Sequence, residues 1–471
     1  MCLIFAPSRA ESACLSANAA ARAAALRYTL RMETSEENIE PITVQPDQAQ
    51  DDTSAIAEDP SNLVLIVHAS VGSGHRSAAN AIAQAFETLR TENDPIVPAD
   101  VQVEVLDILD FGRHKFDGDA TASMFIGPTR PLYDVTWRYF LTGRVLWGGG
   151  TIWSRLMFSP FTNYIAEKRP LAVIATHITA ANSSVSARMI TGQNFPIICV
   201  PTDYETEGMW PHAAADLFCV ATESMAETLR ARLVKDERIL ITGIPTREAF
   251  RRTYSTNVVR NQFGLPHDKT VVLALAGAHL QKPYEHFRES LGKMLPYLHT
   301  FKNMHFVIVC GNDKDYENRM KRACDDLSIK NATVLGYVED MASLMAASNL
   351  IVCKSGGLTV TECLCAQVPM ILLGRAYGQE KINVEMLTEQ GAAMHVTTWR
   401  ELLVRLRQIK KHPERINAML INGQSVRKPN AARDIAHATM IVATEHPLGG
   451  DGDRGKHFLN FYIGDAPAHV R

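Results

Sequence analysis

The fold of this chain is decided by the stretch Lys354-Ser355-Gly356-Gly357-Leu358-Thr359-Val360-Thr361-Glu362. An apolar run typical of a buried strand, Leu350–Cys353, precedes the two glycines, and a helical pattern predicted over Thr359–Ala366 follows them. Such a turn leaves backbone N–H groups and the positive end of the helix dipole open to a phosphate. Thr359 can add a hydroxyl, and Glu362 can accept hydrogen bonds from both hydroxyls of a ribose. The stretch therefore predicts an α/β domain that binds the diphosphate and ribose of a nucleotide.

A second turn, Gly378-Gln379-Glu380, follows the next apolar run. Because the carboxyl ends of parallel strands meet at one edge of a sheet, this turn should return to the phosphate end of the first helix. There Gln379 and Glu380 can hold the hydroxyls of a sugar, and Asn383, one turn further along, is assigned to the same donor site. Taken alone, a Gly-Gly strand end is a common turn, and Glu362 could be an ordinary surface acid. The two turns together predict a nucleotide-sugar site.

The chain repeats this design in two halves. Short apolar runs alternate with helical stretches, which is typical of parallel sheets covered by helices on both faces. The predicted fold class is α/β, with two doubly wound, Rossmann-like domains that face a central cleft. Residues 62–245 form the first domain and residues 246–446 the second, between a leader (1–61) and a tail (447–471). Ligands of such sheets bind at the carboxyl ends of the strands, so the cleft is the expected site. The predicted strands are Leu63–Ala69, Val101–Leu109, Leu171–Thr176, Phe195–Val200, Leu217–Ala221, Ile239–Thr242, Val271–Ala276, His305–Cys310, Ala332–Leu335, Leu350–Cys353, Met370–Leu373 and Ala392–Val396.

The first domain opens with a glycine-rich turn, Gly72-Ser73-Gly74-His75-Arg76, before a helix predicted over Ala78–Leu89. The two glycines allow a tight turn and close backbone approach, which leaves His75 at the helix start, facing the cleft as a base. A P-loop is excluded because no Lys precedes Ser77. A dinucleotide fingerprint would need a third glycine where Ser77 stands, although Asp107 imitates its ribose acid. A capping histidine in a tight turn is the structural alternative.

Composition narrows the classes of function. The chain has 471 residues, 46% of them apolar, and a formal net charge of −3. It is long enough for two cores, and its charge provides no general attraction to nucleic acid, so no nucleic-acid partner is predicted. No run of about 18 apolar residues is present, which predicts that any membrane contact is peripheral. Nine scattered cysteines without zinc spacing predict a reducing compartment and no metal site.

The first 61 residues differ from the rest of the chain. Residues 1–31 carry four arginines and one acid, whereas residues 33–61 carry nine Asp or Glu and no Lys or Arg. This composition predicts a disordered leader. An Arg- and Ser-rich, acid-poor start is also typical of an organelle transit peptide, and an upstream extension before a start at Met32 explains it equally well.

Residues 113–153, between the second and third predicted strands, interleave aromatic and basic side chains, among them Trp137 and Trp147. Rings can enter the headgroup layer of a membrane while arginines meet anionic lipid, so this segment predicts a contact with an anionic membrane surface. Base stacking is the nucleic-acid counterpart of this pattern, but no RNA-binding motif accompanies it. A helical hairpin whose aromatics pack on the sheet is the alternative.

Together these motifs resemble those of the monogalactosyldiacylglycerol synthase and processive diacylglycerol glucosyltransferase family, relatives of the peptidoglycan glycosyltransferase that adds N-acetylglucosamine to a lipid carrier. The resemblance implies the GT-B architecture, UDP-glucose or UDP-galactose held by the second domain, and an inverting transfer of the hexose to a hydroxyl of diacylglycerol or a related lipid. It also implies Gly74 and Trp210 on the acceptor side. The matching pieces are Gly72–Arg76, Thr202-Asp203 with Trp210, Gly243-Ile244-Pro245, Gly356–Thr359 with Glu362, and Gly378–Glu380 with Asn383.

Two segments depart from the family pattern. Ala276-Gly277-Ala278-His279-Leu280 stands where plant galactolipid synthases tend to carry a glycine-rich donor loop, and Thr206–Trp210 lacks their His-Pro pair. Both departures weaken a specific prediction of galactose as the donor sugar.

The predicted mechanism is a single displacement at the anomeric carbon. His75 is the base, since an imidazole with a pKa of about 6.5 can accept a proton at neutral pH. Asp203 orients the acceptor or His75, with a solvated turn residue as the equal alternative. The amides of residues 357–359, the helix dipole and Thr359 stabilise the departing UDP, which would make a bound metal dispensable. The UDP-sugar is a co-substrate, and no further cofactor is predicted.

The predicted location is cytoplasmic and peripheral, on the inner face of a membrane. Three other functions stay open. A nucleotide-sugar epimerase can share this architecture, and so can a non-catalytic UDP-sugar-binding protein. An NAD-dependent dehydrogenase is the weakest of them, because the first domain lacks the third glycine.

Overall fold

The computed structural model describes residues 61–113, 152–206, 209–277, 281–376 and 378–445. The predictions for the leader, for the tail and for most of residues 113–153, including Trp137 and Trp147, lie outside these residues.

The first sheet has six parallel strands in the order β2-β1-β3-β4-β5-β6. Its strands are apolar and buried on both faces near the middle of the sheet, which is why they appear in the sequence as continuous apolar runs. They are β1 (Leu63–His68), β2 (Gln102–Asp107), β3 (Ala172–Ala175), β4 (Ile197–Cys199), β5 (Leu217–Val220) and β6 (Ile239–Ile241). The helices of this half are α1 (Ser73–Thr91), α2 (Ser159–Lys168), α3 (Ile178–Thr191) and α4 (Glu223–Ala231).

The second sheet also has six parallel strands, in the order β12-β11-β10-β7-β8-β9. They are β7 (Thr270–Leu275), β8 (Met304–Val309), β9 (Ala332–Leu335), β10 (Leu350–Cys353), β11 (Met370–Leu373) and β12 (Ala393–Val396). The helices that follow the first sheet are α5 (Thr256–Gln262), α6 (Gln281–Met294), α7 (Lys314–Asp326), α8 (Met341–Ala346), α9 (Gly357–Cys365), α10 (Gln379–Glu389), α11 (Trp399–Lys411), α12 (Glu414–Gly423) and α13 (Ala431–Glu445). The prediction of two doubly wound parallel α/β domains is therefore confirmed.

The element ends differ from the predicted ones for local reasons. The prediction ran β2 on to Leu109, whereas the strand ends at Asp107, whose carboxylate accepts from the backbone N–H of Leu109 at 3.0 Å and begins a 3₁₀ helix. Helix α1 begins at Ser73, five residues before the predicted start, because Gly72 takes a φ of 98° and turns the chain directly into the helix. His75 consequently lies in the first turn of α1.

The last helix returns to the first half of the chain. Ile435 and Ala436 of α13 are buried in one cluster with Val64 and Ile66 of β1, and α13 packs against α1. The sequence prediction assigned residues 246–446 to the second domain, whereas this helix lies on the first sheet. None of the helices formed by the described residues is long and apolar enough to cross a membrane.

Candidate active site

Three helices begin with a glycine and without a side-chain cap. Gly72 precedes α1, Gly356 precedes α9 and Gly378 precedes α10. Gly72 and Gly378 have positive φ angles, of 98° and 53°, which an L side chain rarely adopts. Several other helices are capped by a side chain that accepts from a first-turn N–H; the capping residues are His177, Thr222, Asp313, Asp340 and Thr398. The uncapped first turns of α1, α9 and α10 therefore keep their N–H groups for another partner.

The first turns of α1 and α9 meet. A Cβ atom placed on Gly74 would lie 4.0 Å from Cβ of Leu358, at ordinary contact distance. A Cβ placed on Gly357 would overlap the carbonyl oxygen of Thr202 and lie 2.7 Å from Oδ1 of Asp203. Gly357 is thus required because the backbone of the first domain lies directly against it.

The imidazole of His75 is held by two neighbours. Its Nδ1 lies 2.9 Å from the carbonyl oxygen of Thr176 and 2.9 Å from Oγ1 of Thr202. A carbonyl only accepts hydrogen bonds, so we assign the proton to Nδ1. The unprotonated Nε2, which has no hydrogen-bond partner among the described residues, is then the basic nitrogen.

Burial keeps His75 neutral. It lowers the pKa of His75 below its ordinary value of 6.5, although the Asp203 carboxylate and the hydrogen bond to Thr176 act in the opposite direction. The ring of His177 packs edge-on at 4.6 Å, and burial lowers the pKa of His177 further still. A neutral imidazole at pH 7 can accept a proton, which is what a base requires.

Glu362 lies in the second turn of α9, as the sequence indicates. Burial raises the pKa of its carboxyl to about 7, and the Arg247 guanidinium opposes this effect. Thr359, in the first turn of the same helix, is partly exposed, as are Gly356 and Glu362. The end of α9 thus offers open amides, a hydroxyl and a carboxyl group that ionises near neutral pH.

Helix α10 contributes two predicted sugar ligands in its first turn. Gln379 and Glu380 are both partly exposed, and Oε1 of Glu380 lies 3.1 Å from Nζ of Lys354, directly after β10. The sequence motif contains Lys354 but gives no sign of this role. The local sequence around Lys354 does not indicate an ion pair with Glu380 of α10, so this pair can be recognised only in the tertiary structure.

Asn383 is fully buried, with 0% of its surface exposed. Its Nδ2 donates to Oδ1 of Asp203 and to the carbonyl oxygen of Ser355, each at 2.9 Å. Its Oδ1 accepts from the backbone N–H of Tyr204 at 2.9 Å. The amide therefore bridges the first and second domains, and its hydrogen-bonding groups are occupied by the protein.

Trp210 is 4% exposed and lies in the core, where its ring packs edge-on to Phe218 at 6.5 Å between ring centres. An indole in this position is not on a surface that a membrane could contact. Among the predicted acceptor-side residues, Gly74 lies at the meeting of α1 and α9.

Sequence reasoning assigned no role to Thr176, Thr202, Tyr204 or His177. For Thr202 the sequence did carry a signal, because the Thr202-Asp203 pair forms part of the matching motif. For the others the sequence carried no signal.

Among the described residues no group of three or more His, Cys, Asp or Glu side chains could hold a metal ion.

Two family models cover most of the chain between them. Residues 75–246 match the monogalactosyldiacylglycerol (MGDG) synthase model, and residues 282–436 match the glycosyltransferase family 28 C-terminal domain. The chain is related to the monogalactosyldiacylglycerol synthase and diacylglycerol glucosyltransferase family. A processive diacylglycerol beta-glucosyltransferase of Bacillus cereus is 26% identical over 400 residues, which are 81% of this chain and 94% of the relative. A protein of the same description from Staphylococcus saprophyticus is 23% identical over 76% of this chain and 86% of its own.

Solved structures share the fold. MurG of Acinetobacter baumannii superposes with a TM-score of 0.50 and 17% identity over 80% of this chain and 99% of its own. The UDP-GlcNAc 2-epimerase of Neisseria meningitidis, bound to UDP-GlcNAc, gives a TM-score of 0.51 and 15% identity over 81% of this chain and 100% of its own. At such identities the likeness concerns the fold alone, and the fold is GT-B.

Proposed function

We propose that this protein is an inverting glycosyltransferase that moves glucose or galactose from a UDP-sugar to a hydroxyl of diacylglycerol or a related lipid. The observation that carries the proposal is the meeting of a neutral His75, with a free basic nitrogen, and the uncapped end of α9. A proton acceptor on one side and an anion site on the other are the two groups that such a transfer needs.

In the proposed reaction, Nε2 of His75 removes the proton of the acceptor hydroxyl as its oxygen attacks C1 of the hexose. The bond between C1 and the phosphate oxygen breaks, and UDP leaves with the electron pair. The amides at the start of α9, its helix dipole and the Thr359 hydroxyl stabilise the negative charge on the leaving diphosphate. Attack opposite the leaving group inverts the configuration at C1. No step requires a metal ion or a further cofactor.

The donor contacts follow from the same geometry. Gly356, Gly357 and Thr359 face the diphosphate, and the ionised Glu362 accepts from both ribose hydroxyls. Gly378, Gln379 and Glu380 lie at the start of α10, where Glu380 is paired with Lys354, and they are assigned to the hydroxyls of the sugar. Asp203 stays assigned to orienting the acceptor or His75, and its charge raises the pKa of that imidazole.

A peripheral contact with the anionic, cytoplasmic face of a membrane would supply the lipid. The described end of the 113–153 segment supports this, since Trp153 is 45% exposed and its helical neighbours Ile152 and Leu156 are 51% and 58% exposed. Apolar side chains at these exposures suit the boundary between headgroups and acyl chains.

The test is an assay of sugar transfer to lipid. Purified protein is incubated with radiolabelled UDP-glucose or UDP-galactose and vesicles of diacylglycerol and anionic phospholipid, and the lipid products are separated. We expect labelled glycolipid from one donor. His75→Ala should lower the rate by roughly 10²–10⁴-fold while UDP binding persists, because the base and the anion site are separate groups.

His267→Ala is the matched control, since His267 is exposed and its ring bonds to the side chains of Asn257 and Asn261, both in α5. Unchanged transfer by His75→Ala would remove the assigned base. Interconversion of free UDP-sugars without lipid would instead identify an epimerase, and donor binding without turnover a UDP-sugar-binding protein.

A further inference from the structure

The loop 202–204 lies between the two halves of the site and touches both. We propose that Thr202 and Tyr204 are positioning residues, through which the donor-binding helix α9 holds the base His75 in its working orientation. This proposal rests on the proposed function, since His75 must be the base for its orientation to matter.

The loop is anchored to the second domain through Tyr204. The buried Tyr204 hydroxyl lies 2.9 Å from Oγ1 of Thr361, and Thr361 in turn donates to the carbonyl oxygen of Gly357 at 2.7 Å. Because the proton of Thr361 is used on that carbonyl, Tyr204 must be the donor in the pair. The backbone N–H of Tyr204 donates to Asn383 at 2.9 Å, so the anchor joins this one residue to both α9 and α10.

The other end of the loop meets the base. Thr202 is buried, and its Oγ1 lies 2.9 Å from Nδ1 of His75. Its carbonyl oxygen lies where a Cβ of Gly357 would be, so the backbone of Thr202 cannot move towards α9. With the N–H of His75 directed to Thr176, the Thr202 oxygen is a second acceptor for the same proton.

These contacts connect the N-terminal end of α9 to the imidazole of His75 through the loop 202–204. A shift of α9 relative to the first domain would move Tyr204 and, two residues earlier, Thr202. Loss of either contact should therefore impair turnover while leaving the donor contacts on α9 and α10 in place. A residue needed only for folding would not separate the two effects.

The first test compares Thr202→Val with Thr202→Ser. The valine variant keeps the shape of the side chain but removes the oxygen beside Nδ1. We expect its kcat to fall by about 3- to 10-fold, the loss typical of one hydrogen bond, with the Kd for UDP unchanged within about two-fold. Thr202→Ser should restore kcat. The control, Thr439→Val, removes a buried hydroxyl that bonds only within α13 and should match the wild type.

The second test is Tyr204→Phe, which removes only the hydroxyl that reaches Thr361. We expect a similar fall in kcat with unchanged UDP binding. Tyr316→Phe is the matched control, because Tyr316 is also buried and its hydroxyl has no hydrogen-bond partner among the described residues. A weaker Kd for UDP in Tyr204→Phe, with normal kcat at saturating donor, would overturn the positioning role.

A spectroscopic readout separates this proposal from the proposed function. The ¹⁵N chemical shifts of the His75 ring, assigned by their loss in His75→Gln, report which nitrogen is protonated. We expect the Nδ1–H form in the wild type and a smaller share of that form in Thr202→Val, because only the Thr176 carbonyl then accepts from Nδ1. An unchanged tautomer together with an unchanged kcat would overturn the inference. If the wild type transfers no sugar to lipid, the proposed function fails, and a tautomer unaltered by Thr202→Val would show that the positioning contact fails too.

Discussion

The glycine turn before His75 and the glycine turn before α9 both begin their helices without a side-chain cap, yet the two ends differ in what surrounds them. In the first domain, Nδ1 of His75 is fixed by Thr176 and Thr202, and burial lowers the pKa of the ring. In the second domain, the end of α9 is left open, and burial raises the pKa of Glu362 to about 7.

The difference shows how a helix end without a side-chain cap can support two different functions. An uncapped helix end attracts negative charge, so it suits a diphosphate and disfavours a protonated imidazole. At α9 this property binds the donor. At α1 the same positive helix end acts in the same direction as burial and favours the neutral form of His75, which lets the histidine act as a base. Substitutions confined to one half should therefore leave the other half unchanged.

The largest expected effect comes from Gly357→Ala, because it disturbs both halves. Its Cβ would overlap the carbonyl oxygen of Thr202, and a backbone group cannot rotate away as a side chain can. Overpacking of this kind typically costs about 1–3 kcal/mol of stability. We expect a lower melting temperature, weaker UDP binding and slower transfer together.

Gly356→Ala is the matched control for stability. A Cβ on Gly356 meets nothing within 4 Å, and its φ of −65° suits any residue. Its melting temperature should match that of the wild type. Equal melting temperatures for the two alanine variants would show that the first domain does not lie against Gly357.

A smaller effect, confined to the donor half, is expected from Glu362→Gln. The ionised carboxylate accepts two ribose hydroxyls, so the affinity of the wild type for UDP-glucose should strengthen as the pH rises through about 7, the pKa of Glu362. The glutamine variant should lack this pH dependence and bind about 10-fold more weakly at pH 8. Calorimetry in two buffers of different ionisation enthalpy would detect the proton released by the wild type.

The stability of the free protein should follow the opposite sign. The folded pKa of Glu362 is raised above its ordinary value of 4.5, so the stabilising contribution of this group is present at low pH and is lost as the pH rises towards about 7. Glu362→Gln should therefore melt at a higher temperature than the wild type at pH 8. Glu385→Gln, on the exposed side of α10, is the control. A pH dependence of donor binding that survives in Glu362→Gln would contradict the ribose assignment.

The sequence predicted most of what depends on local pattern. The twelve strands of the described residues were predicted because most of them, buried inside a parallel sheet, are continuous apolar runs. The glycine turns before α1 and α10 were predicted because few residues can replace glycine at a positive φ. The contacts between halves could not be predicted this way. Asn383 and Asp203 are 180 residues apart, and no periodicity relates them.

Long-range packing likewise explains the positions of Trp210 and helix α13, which differ from those expected from the sequence. Trp210 matched a motif and was expected on the acceptor side; its ring is buried beside Phe218, where an aromatic side chain gains from burial, and so does not lie on the surface. Helix α13 follows the second domain in sequence and lies on the first, because the apolar face of Ile435 and Ala436 completes the cluster around β1. Neither outcome has a local signal.

The smallest expected effect, confined to the base half, comes from Asp203→Asn. The Asp203 charge raises the pKa of His75 against the lowering caused by burial, so its removal should shift the acid limb of the pH–rate profile to lower pH. The plateau rate should fall only about 2- to 5-fold, because His75 remains a base but a weaker one. Asparagine can still accept from Nδ2 of Asn383 through its own oxygen, so the bridge between the domains is retained.

Steady-state kcat for transfer at saturating UDP-sugar, measured between pH 5 and pH 8, would test this shift directly, because donor binding and its dependence on Glu362 do not enter kcat. The wild-type acid limb should lie below the ordinary histidine value of 6.5, and UDP-glucose binding by Asp203→Asn should keep the pH dependence set by Glu362. An acid limb displaced to higher pH would mean that Asp203 does not raise the pKa of His75. If Glu362→Gln moved the same limb, the two halves would not titrate separately, and the comparison between them would fail.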